Sequence, residues 1–228
     1  MPAFCTVAGL NVLDGLVYLP RTGVWHADLN VDSFSPLSGS VSIQLGSQTL
    51  NGTVTRSGSD VSKRLRVRIV GGNAGLGKVL PPKSYWQVPL RIPLTDAITG
   101  AGETLSATAD PNLLGMQLLA WSCMQGGTAG GVVGALMASV PNTAWRVLID
   151  GTVWCGYESW PPSSLPDTVT IHSEPEKGRV TIASDAPSVL PGTAFSYTPP
   201  GSATQTKNVS YVRHVIRPDS IRTLVFYE

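Results

Sequence analysis

Charged residues are scarce in this 228-residue sequence. Lysine, arginine, aspartate and glutamate make up 14% of it, against about 25% in an average soluble domain. The net charge is only +1, so general binding to nucleic acid or to an acidic membrane surface is not expected, since both favour a basic partner. With so few charges to cover its outside, the protein is expected to bury part of its surface against other subunits.

Long apolar runs are missing as well. No stretch of about eighteen apolar residues occurs, so no membrane-spanning helix is expected. The N-terminal stretch has no basic leader and contains Asp14 among its apolar residues, so a secretory signal is not expected either. Cys5, Cys123 and Cys155 are odd in number and widely spaced, which fits a reducing cytosol better than a disulfide scaffold. Each cysteine is predicted to be a small buried hydrophobe.

Groups that would bind a metal or catalyse a reaction do not cluster in the sequence. His26, His172 and His214 lie far apart on strand patterns, and surface or interface positions are expected for all three. The G-x-S-x-G elbow of many hydrolases is absent, although sequence alone leaves a Ser-His-Asp constellation open. A carboxylate pair for sugar hydrolysis also stays open, but carboxylates on outward strand faces are more often solvated. The acidic residues in question are Asp28, Asp32, Asp110 and Glu158.

The glycine-rich stretch VGGNAGLGKVLPP, residues 70–82, resembles a phosphate-binding loop. Such a loop requires G-x-x-x-x-G-K-[ST] and a helix directly after it, so that backbone N–H groups and a hydroxyl hold phosphate and Mg²⁺. Here Val79 stands in place of the serine or threonine, and Pro81 and Pro82 prevent a helix from starting. The stretch is therefore predicted to be a connection after a strand, and a nucleotide enzyme is kept as a minor alternative.

Alternating apolar and polar residues predict a series of short strands over residues 5–70, as in a small barrel or sandwich. Glycine and proline, at 24 and 18 residues, supply the many turns that such strands need. The residues predicted to point inward include Val41, Ile43 and Leu45 on one strand and Leu65, Val67 and Ile69 on another.

Short helices are predicted in the middle of the chain. Thr95 is expected to cap a helix that stops near Gly100, and Asp110-Pro111 to begin another. Residues 127–140 are apolar at helical spacing and predict a third helix, which packing must hold because its glycines disfavour it.

Strand patterns return in the last part of the sequence. A hairpin is predicted around Lys177-Gly178, and two strands broken at Pro218-Asp219 are predicted at the end of the sequence. The turn-rich stretch 191–207 is predicted to be an exposed loop, and 196–208 to be a segment that orders only against a partner.

The stretch WRVLIDGTVWCGYESW, residues 145–160, predicts a β-hairpin. Asp150-Gly151 is the strongest signal for a two-residue turn, and Trp145 and Trp154 flank it on the strands. Six tryptophans in the chain would also suit a carbohydrate platform, but large aromatics are ordinary core and interface residues. The hairpin is interpreted as structural, with Trp145, Asp150, Gly151 and Trp154 as its defining residues.

Two segments in this order resemble tail-tip hub proteins of tailed bacteriophages. The first is YWQVPLRIPLTDAITGAGETLS, residues 85–106, and the second is the hairpin sequence at 145–160. The resemblance covers residues 10–225, and its motifs are structural rather than catalytic.

The resemblance implies a virion component without enzyme activity or cofactor. Hub proteins of this kind are similar to trimeric rings of paired β-barrels that join the tail tube to a central spike or fibre and surround the DNA path. The implied partners are further copies of the chain and other tail proteins, with DNA passing through the lumen unbound and no insertion into a membrane. The implied location is the virion tail tip, after assembly in the host bacterial cytoplasm. Hubs of contractile tails are longer than this chain, which would be a compact version.

The predicted fold is mainly β, of the α+β class, with two small antiparallel barrel- or sandwich-like domains and a short helical insertion between them. The expected division is 1–90 for the first β domain, 91–143 for the helical segment and 144–228 for the second β domain. Two barrels and one interleaved sheet system both remain open, and no residues are assigned to an interface. The alternative function is a carbohydrate- or receptor-binding β domain of a phage tail, with Trp86 or Trp160 lining a groove.

Overall fold

The computed structural model describes residues 4–59, 64–123, 126–163, 170–199 and 201–228. Strands dominate these residues, as predicted: β1 (Cys5–Val7), β2 (Leu10–Pro20), β3 (His26–Val31), β4 (Gly39–Leu45), β5 (Gln48–Ser59), β6 (Leu65–Gly71), β7 (Lys83–Pro89), β8 (Gln117–Cys123), β9 (Thr143–Val147), β10 (Val153–Tyr157), β11 (Thr170–Glu174), β12 (Arg179–Ile182), β13 (Ala194–Tyr197), β14 (Gln205–Arg217) and β15 (Ser220–Tyr227). The helices are α1 (Arg91–Ala101), α2 (Pro111–Gly115) and α3 (Ala129–Ala138), with 3-10 turns at Gly75–Gly77 and Pro175–Lys177. Within the described ranges no helix is long and apolar enough to cross a membrane.

Six strands close into a barrel. β1 pairs with β2 and β4, and the circuit continues through β5, β6 and β3 back to β2. The period-two alternation fills the interior, where Ile43, Leu65, Val67 and Ile69 are buried, as predicted for them. Closure leaves the barrel strands with neighbours on both sides, which removes the open edges on which sheets aggregate.

Trp25 fills one end of the barrel. Its side chain is fully buried and lies against Gly52 and Gly71, which face each other on β5 and β6. A Cβ atom at Gly52 would lie 2.8 Å from the indole ring, and one at Gly71 would lie 2.5 Å from its nitrogen. Two glycines are required here because any larger side chain would displace the indole.

β2 belongs to the barrel and to a second sheet. One of its edges pairs with β3, while the other pairs first with β1 and then, over Gly15–Pro20, with β14. The second sheet continues through β15, β12 and β11, and β13 pairs with the first residues of β14. The first and last strands of the chain therefore share one hydrogen-bonded sheet. The division at residues 90 and 143 stays a proposal, and this pairing favours its interleaved form.

The middle of the chain forms a β-ribbon and three helices. β7 and β8 pair with each other only, among the described residues. α1 packs against α3, and both present buried apolar faces that include Leu94, Ile98, Val133 and Leu136. At the start of α2, Asp110 accepts hydrogen bonds from the backbone of the first turn, and Pro111 follows it, as predicted.

The start of α1 differs from the prediction. The helix begins at Arg91, after Leu90, and Thr95 lies inside it rather than at its cap. Pro93 lies in the first turn, where a proline is tolerated because its missing N–H would have no helical partner.

The stretch 191–207 is not the exposed loop that its composition predicts. Residues Ala194–Tyr197 form β13, which pairs with the start of β14, and Phe195 and Tyr197 are buried. Their rings stack with centroids 5.4 Å apart. Apart from Pro200, which the structure does not describe, the segment 196–208 thus belongs to a hairpin, which the buried rings of Phe195 and Tyr197 hold in place.

His214 is buried, contrary to the surface or interface position predicted for all three histidines. It lies on β14 with Nδ1 3.0 Å from the Thr223 hydroxyl, which in turn donates to the Ser184 carbonyl. Nδ1 therefore carries the proton, and the buried Nε2 has no hydrogen-bond partner. Burial lowers the pKa of His214 to about 4, and the charge of Asp185 opposes part of that shift.

We expect this histidine to make stability fall in mild acid. The pKa of His214 is lower in the folded protein than its unfolded value near 6.5. Below pH 6.5 the unfolded chain therefore binds a proton that the folded chain does not, and the free energy of unfolding falls as the pH drops from 6.5 toward 4. Unfolding in urea should show about 2 kcal/mol less stability at pH 5 than at pH 7 from this group. His214→Asn should flatten that difference, and His172→Asn, at an exposed position, should keep it. An unchanged pH profile in His214→Asn would contradict the assignment.

Candidate functional site: the docked hairpin

The predicted hairpin is formed by β9 and β10, and its turn is one residue longer than the predicted form. Leu148 N donates to Thr152 O at 2.8 Å, which leaves Ile149, Asp150 and Gly151 in the loop. Gly151 has a φ of +89°, the left-handed position of a three-residue hairpin loop. The Asp150 carboxylate accepts from the backbone N–H and the hydroxyl of Thr152, each at 2.8 Å.

The turn is docked on the closed end of the barrel. Trp25 Nε1 donates to Leu148 O at 3.0 Å, and the backbone N–H of Asn51 donates to Ile149 O at 2.7 Å. A Cβ atom at Gly151 would lie 3.2 Å from the Asn51 carbonyl, so this glycine allows the close approach. The carbonyl groups of the turn are thus satisfied by the barrel rather than by water.

The strands of the hairpin bind the rest of the chain. Gly23 N donates to Trp145 O at 2.8 Å, and Val147 N donates to Gly23 O at 2.9 Å. The buried Trp145 ring lies over Gly130 and Gly134 of α3, where added Cβ atoms would be 3.6 and 3.5 Å from it. These are ordinary van der Waals distances, so the indole packs closely on this face of α3.

Arg146, a residue of the hairpin sequence that resembles the hub proteins, lies at the centre of these contacts. Arg146 is paired with Glu158 at 2.6 Å, and their side chains are only 15% and 8% exposed. The Arg146 guanidinium also covers the Trp154 ring at 4.2 Å and donates to the Arg21 carbonyl at 3.3 Å. Glu158, which the sequence left open as a carboxylate for sugar hydrolysis, is thus used in an ion pair within the hairpin sequence.

The glycine-rich loop holds an anion from its own chain. The carboxylate of Glu103, a residue that is 4% exposed, accepts from the backbone N–H groups of Asn73 at 2.9 Å and Gly75 at 2.7 Å. Backbone N–H groups in such a concave turn form an anion nest, and here the nest is filled. Lys78 donates to the Gly100 carbonyl instead of to a phosphate. After the loop comes the strand β7 and not a helix, as the two prolines predicted.

The aromatic residues of the carbohydrate alternative do not share a groove with the hairpin turn. A polar cleft of about 590 Å³ opens beside Asp150 and is lined by small polar side chains such as Ser40, Asn51 and Thr104. Neither Trp86 nor Trp160 is among its lining residues. Trp160 is partly covered by the Arg21 guanidinium, 5.4 Å from the ring centre.

Known structures resemble this fold over nearly the whole chain. A tail protein of prophage MuSo2 from Shewanella oneidensis superposes with a TM-score of 0.75 at 9% sequence identity, over 98% of this chain and 95% of that one. A tail protein from Neisseria meningitidis gives 0.72 at 12% identity, over 98% and 94%. This is the fold of phage tail proteins. The resemblance found in the sequence is thereby confirmed in structure.

A third similar structure comes from a secretion machine. It is an Escherichia coli component of the type VI secretion system that is itself similar to the T4 bacteriophage tail proteins gp27 and gp5, with a TM-score of 0.67 at 12% identity over 98% of this chain and 76% of that one. No protein-family model and no curated protein matches the sequence.

The four defining residues of the hairpin all have structural contacts in this tail-protein fold. Trp145 packs on α3, Asp150 holds the turn, Gly151 allows docking, and Trp154 Nε1 donates to the Thr108 carbonyl at 3.1 Å. Among the described residues no group of three His, Cys, Asp or Glu side chains is placed to hold a metal. All three cysteines are buried and none forms a disulfide, as predicted. The polar and aromatic groups of the hairpin therefore serve to join segments of the chain.

We expect Glu103→Gln to destabilise the protein by about 2 kcal/mol, because an amide accepts fewer hydrogen bonds and presents its own N–H groups to the nest. Urea unfolding measures the loss, and Glu176→Gln, at an exposed position, should stay within about 0.5 kcal/mol of wild type. Added ATP should leave the melting temperature of the wild-type protein unchanged, since the nest is occupied. A melting temperature that rises with ATP would restore the nucleotide alternative.

Breaking the buried ion pair should cost more than breaking an exposed one. Glu158→Ala leaves the Arg146 charge buried and unpaired, and we expect about 3 kcal/mol of lost stability. The matched control is Asp28→Ala, which removes an exposed pair to Arg68 at 3.5 Å and should cost less than about 1 kcal/mol. Denaturant midpoints compare the two, and equal losses would show that burial of the pair does not matter.

Proposed function

We propose that this protein is a structural component of a phage tail tip or baseplate hub. In this role, copies of the chain form a ring that joins the tail tube to the central spike or fibre and surrounds the path of the DNA. The observation that carries the proposal is the likeness to phage tail proteins over 98% of the chain.

The docked hairpin supports a role that depends on shape rather than on reaction chemistry. Its polar groups are used inside the chain: Asp150 on the turn, Glu158 on Arg146 and, in the neighbouring loop, Glu103 on backbone N–H groups. A protein with this role needs a rigid outline, and the contacts between barrel, hairpin and helices supply it. We propose that it has no enzyme activity and no cofactor.

Two features support assembly into a ring: the small number of charged residues and the presence of exposed apolar side chains. Trp86 and Leu119, both on the β-ribbon, are 70% and 78% exposed in the single chain, which has few charges. Apolar groups of this size are commonly covered by partners in assemblies. We propose a trimer bound to other tail proteins, located at the tail tip of the virion after assembly in the host cytoplasm. A net charge of +1 suits a channel through which DNA passes without being held.

A carbohydrate- or receptor-binding role remains the second candidate because of Trp86. An exposed indole can stack on a sugar ring, so this role predicts specific binding of host glycans that Trp86→Ala abolishes. A glycan array separates the two functions. We expect no specific hit for the wild-type protein, and a hit lost in Trp86→Ala would favour the second candidate.

The oligomeric state tests the main proposal. Native mass spectrometry and sedimentation velocity of the purified protein should give trimers, and electron microscopy of virions that contain the protein should place it at the distal end of the tail tube. The glycan array on the same wild-type preparation tests the second candidate in parallel. A strict monomer at high concentration, together with the absence of a trimeric ring at the tail tip, would overturn the proposal.

A further inference from the structure

The β-ribbon presents an uncharged face with one large projecting side chain. On this face Trp86 is paired with Ala120, and its neighbours along the two strands are Ser84, Val88, Leu118 and Ser122. None of these side chains is charged. The opposite face is turned to α1, where the Tyr85 hydroxyl donates to Asp96 at 3.0 Å. Trp86 thus projects from a ribbon whose opposite face is held against α1.

An apolar cleft of about 260 Å³ lies in another part of the molecule, between the hairpin and the end of β2. Of its two charged lining residues, Arg146 is paired with Glu158, and the Asp150 carboxylate accepts hydrogen bonds from Thr152. Trp25 also lines it. The apolar walls are formed by Leu19, Pro20, Val147, Ile149, Leu190 and Pro191.

The size of this cleft suits one aromatic side chain. A cavity of about 150 Å³ accommodates benzene, so one of 260 Å³ has room for the larger indole. Binding sites for whole small molecules are usually larger, from about 300 Å³ upward. Most of the residues that line the cleft are apolar, which matches the uncharged face of the ribbon.

We propose that Trp86 of one copy inserts into this cleft on the next copy of the chain. This inference rests on the proposed ring and identifies the contact that closes it. The projecting side chain and the cleft lie on different elements, because no residue of β7 or β8 lines the cleft. A contact between two different patches is head-to-tail, and head-to-tail contacts generate closed rings when the rotation closes.

Trp86 acts in this contact as an anchor within a larger interface. A buried aromatic residue contributes about 150–250 Å² of contact, whereas a stable interface needs about 800 Å² from each partner. Tryptophan side chains that fill pockets are frequent energetic centres of such interfaces. The surrounding uncharged ribbon face would supply contacts around the anchor without burying a charge.

Association measurements on three variants test the contact. Trp86→Ala, which removes the anchor, and Leu190→Glu, which places a charge in the cleft, should each weaken self-association at least about 30-fold, equivalent to about 2 kcal/mol. Phe34→Ala is the matched control, since Phe34 is as exposed as Trp86 but lies in the loop after β3, and it should change association less than about threefold. Circular dichroism and melting curves establish that each variant is folded. Because Trp86 is exposed, its variant keeps the test valid if Leu190→Glu misfolds.

Chemical cross-linking tests the direction of the contact. Ser84→Cys on the ribbon face and Thr193→Cys in the cleft, both of which keep Trp86, are made separately with tags of different size and mixed, and a short bismaleimide is added. The native cysteines are buried, so wild type is the unreactive control. Cross-links between the two variants are expected when they are mixed, with none in either variant alone. Links within Ser84→Cys alone would indicate a two-fold contact and would overturn the proposal.

The outcomes separate this inference from the proposed ring. Trimers that persist unchanged in Trp86→Ala would overturn the inserted-tryptophan contact while leaving the ring intact. If Trp86→Ala instead loses only binding to another tail protein, the side chain has a different partner and the inference is wrong. A wild-type chain that stays monomeric and is absent from tail-tip rings would overturn both.

Discussion

The hydrogen bond from the Trp25 indole to the Leu148 carbonyl joins the barrel to the hairpin, and the hairpin in turn makes the contacts to Arg21 and to α3. The indole can lie there only because Gly52 and Gly71 leave space on two neighbouring strands. With the turn fixed on the barrel, Arg146 is held where it can reach both Glu158 and the Arg21 carbonyl. The same placement brings Trp145 over α3. One buried ring therefore determines how the strand-rich and helical parts of the chain meet.

Features that look reactive in the sequence are satisfied within the chain. The glycine-rich loop attracts an anion through its backbone N–H groups, and Glu103 supplies that anion. Such a nest would otherwise be a site for phosphate, so a single carboxylate thirty residues along the chain changes its role from binding to folding. The Glu158 carboxylate is used in the same way on Arg146. These contacts use polar groups to make the chain rigid, in keeping with the structural role proposed above.

Local patterns in the sequence predict the local structure well. Alternation identified the barrel strands around Ile43 and Val67, and Asp110-Pro111 identified the start of α2. The errors arose where distant parts of the chain decide the outcome. The composition of 191–207 suggests a loop, but pairing with β14 and burial of Phe195 make it a hairpin. Neither the partner of Glu103 nor the burial of His214 leaves a local signal, because both depend on segments far away in sequence.

Strand β2 connects the barrel directly to the second sheet, although the strands of that sheet come from the other end of the sequence. Since Gly15–Pro20 pair with β14 while the same strand pairs with β3, the barrel and the second sheet are connected by ladders of hydrogen bonds rather than by a linker. A load applied to the C-terminal strands would pass directly into the barrel wall. Neither part can tilt away from the other without breaking several backbone bonds at once, so the subunit would transmit a push or a pull as a single stiff body.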